Sequence, residues 1–350
     1  NAVQLTGGEP TIRKDIIDII KIAREEGFRH VQLNTNGIRL ANDPKFAEQV
    51  REAGSHVAYM SFDGVTEKTN PKNHWEIPKA LENMRKAKLS AVLVPTIINT
   101  VNDHEVGDIL RFGIKNIDIV RAVNYQPVSL VGRITKADLK KYRITIPDVI
   151  KKIEEQTNGE IGKEDFYPIP TAMPLTEFVE AISHRSTYSL STHFACGMAT
   201  YVFMDGDKMV PLPRFLDVEG LSEYLREKTG ELKIGKPKLW ITLKILSKIG
   251  SFIDKEKQPK NLNLTDLLID IIRKREYDAL GQLHHKSMFI GMMHFMDLYN
   301  YDIERVERCC IHYAQPDGTI VPFCAFNVIP QWYRDKIQEK FSVSAEEWKK

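Results

Sequence analysis

Cysteine is scarce in this chain, with four in 350 residues. That count excludes the disulfide framework of a small secreted domain. Excess charge of either sign is also missing: 49 Lys and Arg stand against 47 Asp and Glu, a net charge of +2. Such a balance gives no whole-chain attraction for nucleic acid, and no nucleic-acid partner is expected. No uncharged apolar run is long enough for a membrane-spanning helix, and there is no low-complexity tract. No GxGxxG follows the first strand pattern, which argues against a dinucleotide-binding fold. No signal-peptide pattern opens the chain. That silence says little, because the sequence starts at Asn1, without Met, in what reads as the middle of a strand.

What is present is an alternation of strand and helix patterns over residues 1 to about 135. Strands are expected near 2–5, 30–34, 57–62, 91–97 and 117–123, and helices at 13–26, 43–53, 76–88 and 103–114. Asn102-Asp103 reads as the cap of the fourth helix. Val123 to Val128, broken by Gln126-Pro127, reads as a further strand, and 134–160 as continuing helix. Alternation of this kind predicts an α/β fold with a parallel sheet, in the form of a partial (βα) TIM-like barrel.

Three polar turns end the first three strands. Leu5-Thr6-Gly7-Gly8-Glu9-Pro10 ends the first, Asn34-Thr35-Asn36-Gly37 the second and Ser61-Phe62-Asp63-Gly64 the third. They recur at roughly the length of one βα unit, which would bring all three to one rim. Glycines at a strand end admit a ligand close to the backbone, and a carboxylate there can hold an amine.

This order of turns resembles the radical S-adenosylmethionine (radical SAM) superfamily. The resemblance implies that Gly7, Gly8 and Glu9 contact the methionine amine of SAM. It implies that Thr35, Asn36, Ser61 and Asp63 lie along its ribose and carboxylate. It also implies a CxxxCxxC loop before the first strand, whose thiolates hold a 4Fe–4S cluster that binds SAM. This sequence has no such loop, so the chain is expected to be a piece of a longer protein carrying those ligands upstream.

The domain reading is a radical SAM core over 1–160, a linker with a short helix over 161–192, and a second domain over 193–350. The second domain holds two hairpin-like pieces with Asp-Gly turns, the strongest short hairpin signal. Asp205-Gly206 follows Cys196, and Asp317-Gly318 lies between the Cys309-Cys310 pair and Cys324. Four thiolates can complete a 4Fe–4S or a zinc site, and buried free cysteines are the plain alternative. The hairpins resemble the auxiliary-cluster domains found after many radical SAM cores, which implies Cys196, Cys309, Cys310 and Cys324 as ligands of an auxiliary 4Fe–4S cluster. The vicinal Cys309-Cys310 pair departs from the wider spacing usual in such sites. His193 and His312, close to the cysteines, read better as hydrogen-bonded side chains than as ligands.

Between the hairpins, about 216–300, a mostly helical insertion is expected. In the run from Lys236 to Ile253, the residues Trp240, Leu243, Leu246, Ile249 and Ile253 fall on one helical stripe bordered by lysines. The stripe suits either a helix packed on its own core or a surface helix at a lipid interface. Ser287 to Met296 is apolar nearly all round and reads as a buried helix, or one lining an apolar cavity; His284, His285 and His294 accompany it.

Taken together, the core, hairpins and insertion resemble the archaeal tetraether lipid synthases. That resemblance implies hydrogen abstraction by a 5′-deoxyadenosyl radical and coupling of isoprenoid lipid chain ends. It brings a long-chain lipid substrate, a one-electron donor, and a cytoplasmic location with contact at the membrane surface. The alternatives are a radical SAM methyltransferase of a pterin and a non-catalytic metal-cluster scaffold. A compact polar pocket would favour the pterin over the lipid.

Overall fold

The computed structural model describes residues 2–132, 135–183, 190–274 and 287–348. It is a mixed α/β fold built on one ten-stranded, mostly parallel sheet, consistent with the expected partial barrel. Strands β1 (Ala2–Leu5), β2 (His30–Thr35), β3 (Ser55–Ser61), β4 (Ser90–Val94) and β6 (Val120–Pro127) lie side by side in parallel, with β5 (Thr96–Ile97) also paired to β6. The two strand patterns expected at 117–123 and 123–128 are this one strand, β6.

The connecting helices are α1 (Ile16–Glu25), α2 (Ile38–Asn42), α3 (Pro44–Glu52), α4 (Ile77–Ala87) and α5 (Val106–Lys115). Each buries an apolar stripe on the sheet. Ile20 of α1, Val50 of α3, Leu81 of α4 and Leu110 of α5 join Val31, Leu33, Ala58, Met60, Leu93 and Val123 of the strands in one core. Helix α3 starts cleanly because Asp43 accepts a bond from Phe46 N and Pro44 fills the first turn. The 134–160 pattern divides into α6 (Lys136–Tyr142) and α7 (Ile146–Gln156), which buries Val149, Ile150 and Ile153 in the same core.

Residues 193–293 extend this sheet. β8 (Gly197–Asp205) forms the expected hairpin with β9 (Lys208–Pro211), and β8 also pairs with β7 (Tyr167–Pro168). The principal correction concerns Ser287 to Met293, which is a strand, β10, and not a helix. It runs parallel to β6 and antiparallel to β8, joining the two parts of the sheet. A strand covered by the sheet's neighbours and by side chains reads as a continuous apolar run, with no alternation to reveal it. The insertion is therefore helical only in α9 (Val218–Lys233), α10 (Lys238–Lys248) and α11 (Leu264–Lys274), which follow α8 (Met173–Ser183). His284 and His285 lie outside the described residues.

The phase of α10 also differs from the expected stripe. Ile241, Ile245 and Ile249 are buried with Phe178 and Leu225, whereas Trp240 and Leu243 are exposed. No helix among the described residues is long and apolar enough to cross a membrane. The second hairpin, β11 (His312–Ala314) with β12 (Ile320–Pro322), is a separate two-stranded sheet turning at Gly318.

One ion pair ties the junction between α6 and α7 to the segment after β10. Fully buried Asp297 accepts two bonds from Arg143, at 2.8 and 3.0 Å, and one from Tyr299 N at 2.8 Å. Ser129 adds a bond to Met296 O at 2.8 Å. Removing one partner of a buried pair leaves an uncompensated charge, at a cost of about 3 kcal/mol or more. Arg143→Met is therefore expected to lower the denaturant midpoint by that stability, whereas Lys151→Met, an exposed cation on the neighbouring helix, leaves it nearly unchanged.

Candidate active site

The strand-end glycines leave backbone open at the rim. Gly7 has φ +152°, and a Cβ at Gly7 or Gly8 would meet nothing within 4 Å. A cofactor can therefore lie against this edge without displacing a side chain. Thr6 accepts a bond from Asn34 at 3.0 Å, the first link between the β1 and β2 turns.

Glu9 makes the main link. Its Oε1 accepts from the Thr11 amide at 3.1 Å and from the Thr35 hydroxyl at 2.7 Å, while Oε2 accepts from the Asn36 amide at 2.7 Å. The Thr11 hydroxyl also donates to Oε1. Thr35 is buried, and its oxygen also accepts from Gly37 N at 3.1 Å. Gly37 has φ +79°, a left-handed backbone that favours glycine, and a Cβ there would also have to displace the end of the Met60 side chain. Asn36 Oδ1 accepts from Ile38 N at 2.9 Å and so holds the start of α2.

The links continue around the rim. Buried Asn73 donates to Asn36 O at 2.6 Å and to Ser61 O at 2.9 Å, joining the β2 and β3 turns. Asp63 accepts from Thr96 N at 2.9 Å and pairs with Lys72 at 2.7 Å. Asn102 stands at the N-cap position of the short 3-10 turn Asp103–Glu105 that leads into α5, but its side chain makes no capping bond. Its amide donates to Asp63 O at 2.7 Å and to Thr96 O at 2.8 Å, joining the third turn to the fourth strand. Glu105 fixes the same loop through Val65 N at 2.7 Å, Thr66 at 2.8 Å and Thr69 at 2.7 Å. Burial pushes the Glu105 carboxyl up, but those three bonds together hold it below the usual carboxylate range.

All seven residues expected at the SAM site thus belong to one bonded set of strand-end turns. They divide in role. The Gly7–Gly8 backbone is open, whereas Thr35 and most of Glu9's acceptor capacity are engaged inside the protein. A carboxylate has about four lone-pair positions, so Oε2, with its single partner, retains room for an external donor such as an ammonium. Asn73, Asn102 and Glu105 were missed from sequence. The polar density of the run Thr69-Asn70-Pro71-Lys72-Asn73 is the one signal that marks that loop.

The inner face of the sheet, opposite the helices, combines carboxamides with rings. Gln32 and Asn34 of β2, Asn124 and Gln126 of β6, Tyr59 of β3 and Phe289 of β10 alternate with the residues of the helix-facing core. Tyr201 of β8 meets Phe289 edge-on at 5.1 Å, and burial pushes the Tyr201 hydroxyl up to about 12.

The four cysteines come together from three segments. Cys196 precedes β8, and its carbonyl accepts from His294 N, just past β10, at 3.0 Å. Because β10 is parallel to β6, this junction sits at the same end of the sheet as the three polar turns. Cys309 and Cys310 follow the helix Ile303–Glu307, and Cys324 lies in the helix Phe323–Val328 after β12. Cys324 Sγ accepts from Met296 N at 3.4 Å. Burial pushes the Cys310 and Cys324 thiols up, and both feel the nearby sulfurs of Cys309 and Cys196, which raise them further. Yet no group of three or more Cys, His, Asp or Glu among the described residues could hold a single metal ion. Phe295, Phe323, Tyr313 and Phe326 stack beside the cysteines at 4.2–5.0 Å. His193 accepts from Ala195 N at 3.2 Å, and His312 is exposed.

Comparison with known proteins now bears on this geometry. The radical SAM superfamily profile matches residues 1–113. Over its whole length the chain is 47% identical to the 7,8-dihydro-6-hydroxymethylpterin dimethyltransferase of Methanocaldococcus jannaschii, and it covers 70% of that protein. The chain belongs to the radical SAM superfamily. Membership implies SAM and a 4Fe–4S cluster as cofactors, and the open glycine edge fits the former. GTP 3′,8-cyclases are similar over shorter stretches. That of Petrotoga mobilis is 29% identical over 52% of this chain and 58% of its own length. That of Geobacter sulfurreducens is 32% identical over 36% of this chain and 40% of its own length. The expected coupling of lipid chains is overturned by the full-length similarity to a pterin dimethyltransferase, and the lipid substrate falls with it.

Glu9→Gln keeps the shape of the side chain but sets an amide donor against donors that now meet a carboxylate. Bonds to a charged acceptor contribute about 1.5–3 kcal/mol, so the variant is expected to unfold with about 2 kcal/mol less stability. Gln4→Ala, which removes only an exposed bond to Gln32, serves as the control with little change. Equal midpoints for the two variants in denaturant titration would contradict the Glu9 clamp.

Proposed function

We propose that this chain is the SAM-binding and auxiliary-cluster part of a radical SAM methyltransferase acting on a reduced pterin. The observation that carries the reading is the 47% identity to the dimethyltransferase, which runs through the whole chain and so through both sites. The inner face of the sheet supports it. A pterin is a flat heterocycle with donor and acceptor edges; Tyr59, Tyr201 and Phe289 offer ring surfaces, and Asn124 and Gln126 offer carboxamides that pair with such edges.

In this reading Gly7 and Gly8 present backbone to the methionine end of SAM, and Glu9 Oε2 receives its ammonium. Asn36, Ser61 and Asp63 line the ribose and carboxylate, with Thr35 beneath holding Glu9 in place. When bound, SAM with its 4Fe–4S cluster and a one-electron donor supplies a radical able to take hydrogen from an unactivated carbon. Cys196, Cys309, Cys310 and Cys324 hold an auxiliary 4Fe–4S cluster. Four thiols in mutual electrostatic reach are the donor set that such a cluster takes. Contact with a membrane surface remains attached only to α10, whose Leu239, Trp240 and Leu243 are exposed beside lysines.

The test is anaerobic incubation of the protein as encoded, reconstituted with iron and sulfide, with a reductant, methyl-deuterated SAM and 7,8-dihydro-6-hydroxymethylpterin. The expected product is a pterin heavier by the labelled methyl group, together with 5′-deoxyadenosine. Deoxyadenosine without a methylated pterin would overturn the substrate, and no deoxyadenosine under any reductant would overturn the radical chemistry.

A further inference from the structure

Arg305 is a buried cation with no carboxylate partner among the described residues. It is 8% exposed. Its guanidinium donates through one terminal nitrogen to His294 O at 2.7 Å and through Nε to Cys196 Sγ at 3.4 Å. Lys228, the other buried cation among the described residues, is compensated differently: it meets Glu227 and Glu231. A guanidinium stays charged in any protein setting, and burying it without an anion costs several kcal/mol. A carbonyl and a neutral thiol do not offset that cost. Thiolates would, and so would a cluster that carries their charge.

We propose that Arg305 is a positioning and potential-setting residue for the four-cysteine site, and that its fixed positive charge and its hydrogen bond to the Cys196 sulfur favour the reduced, more negative state of a 4Fe–4S cluster held there. The proposal rests on the auxiliary-cluster reading above. The supporting geometry is local and specific. His294, whose carbonyl Arg305 holds, donates its own amide to Cys196 O at 3.0 Å. Arg305 therefore grips both strands, β8 and β10, at the point where the first cysteine leaves the sheet. Its own position is fixed by Asp302, which accepts from the amides of Glu304 and Arg305 at the start of its helix. The Met296 amide donates to Cys324 from the other side, so two sulfurs each receive one N–H donor. Reduction potentials of such clusters rise with hydrogen bonds to sulfur and with nearby positive charge.

The experiment compares wild type, Arg305→Gln and Arg305→Lys, each purified and reconstituted anaerobically as the protein is encoded. Iron and sulfide are counted, and the cluster is titrated by electron paramagnetic resonance against redox mediators. The auxiliary cluster is the signal that does not respond to added SAM. The expected result is a midpoint potential shifted to more negative values in Arg305→Gln, with a smaller shift in Arg305→Lys, which keeps the charge but loses the planar donor geometry. Either variant with full iron content and the wild-type potential would overturn the proposal. Equal loss of iron from both folded variants would mark Arg305 as a structural support only and would overturn it as well. A wild-type protein without a second cluster would instead fail the cluster reading itself, and is recognised by its iron count.

Discussion

The carboxylate of Glu9 turns separate strand ends into one surface. The helices on the outer face hold the strands in register, but apolar packing says little about the heights and angles of the loops beyond them. A charged acceptor at the end of β1, bonded to a hydroxyl and an amide at the end of β2, fixes those heights. The carboxamides of Asn73 and Asn102 carry the same principle further around the rim. A carboxamide nitrogen has two donor positions, and each of these residues uses its nitrogen to join carbonyls of two neighbouring turns. The open backbone of Gly7 and Gly8 is useful only because this polar lattice holds it still.

The core's strands and helices were legible because each shows a period. Outer helices bury one stripe, and half-buried strands alternate, so Ile16 to Glu25 or His30 to Thr35 declare themselves. β10 did not, since Ser287 to Met293 is covered by neighbours on both sides and has no polar face to alternate with. α10 was legible as a helix but not in phase. Apolar residues occupy nearly all of its circumference, and the contacts of Ile241, Ile245 and Ile249 with α8 and α9 decide which side is inside. The three polar turns were legible as a set, through glycine and carboxylate at strand ends. Asn73, Asn102 and Arg305 were not, because their partners are backbone carbonyls and a sulfur brought close by the fold, and neither leaves a pattern along the sequence. The cysteine hairpins were visible through Asp-Gly turns, yet only the parallel pairing of β10 with β6 shows that the cysteines reach the same rim as the three polar turns.

That shared rim shapes the functional reading. A sheet that continues through β10 into β8 places the three polar turns at one edge and the four sulfurs further along, with the carboxamide and ring surface between them. A substrate on that inner face would have the cofactor on one side and the cysteine site on the other. The buried Asp297–Arg143 pair and the bond from Ser129 to Met296 hold the connection between the two halves where it must not slip. Full-length similarity to a pterin dimethyltransferase fits a compact mixed surface of this kind better than a long apolar tunnel.

The account's central claim is that one end of a single sheet carries both the SAM turns and the cysteine site. The most direct test is an anaerobic crystal structure of the reconstituted protein as encoded, with SAM bound. The account predicts the methionine part of SAM along the Gly7–Gly8 edge with its ammonium at Glu9, and a second cluster on Cys196, Cys309, Cys310 and Cys324 facing the same hollow. SAM bound away from Glu9, or the four sulfurs on a face that does not share that hollow, would contradict it.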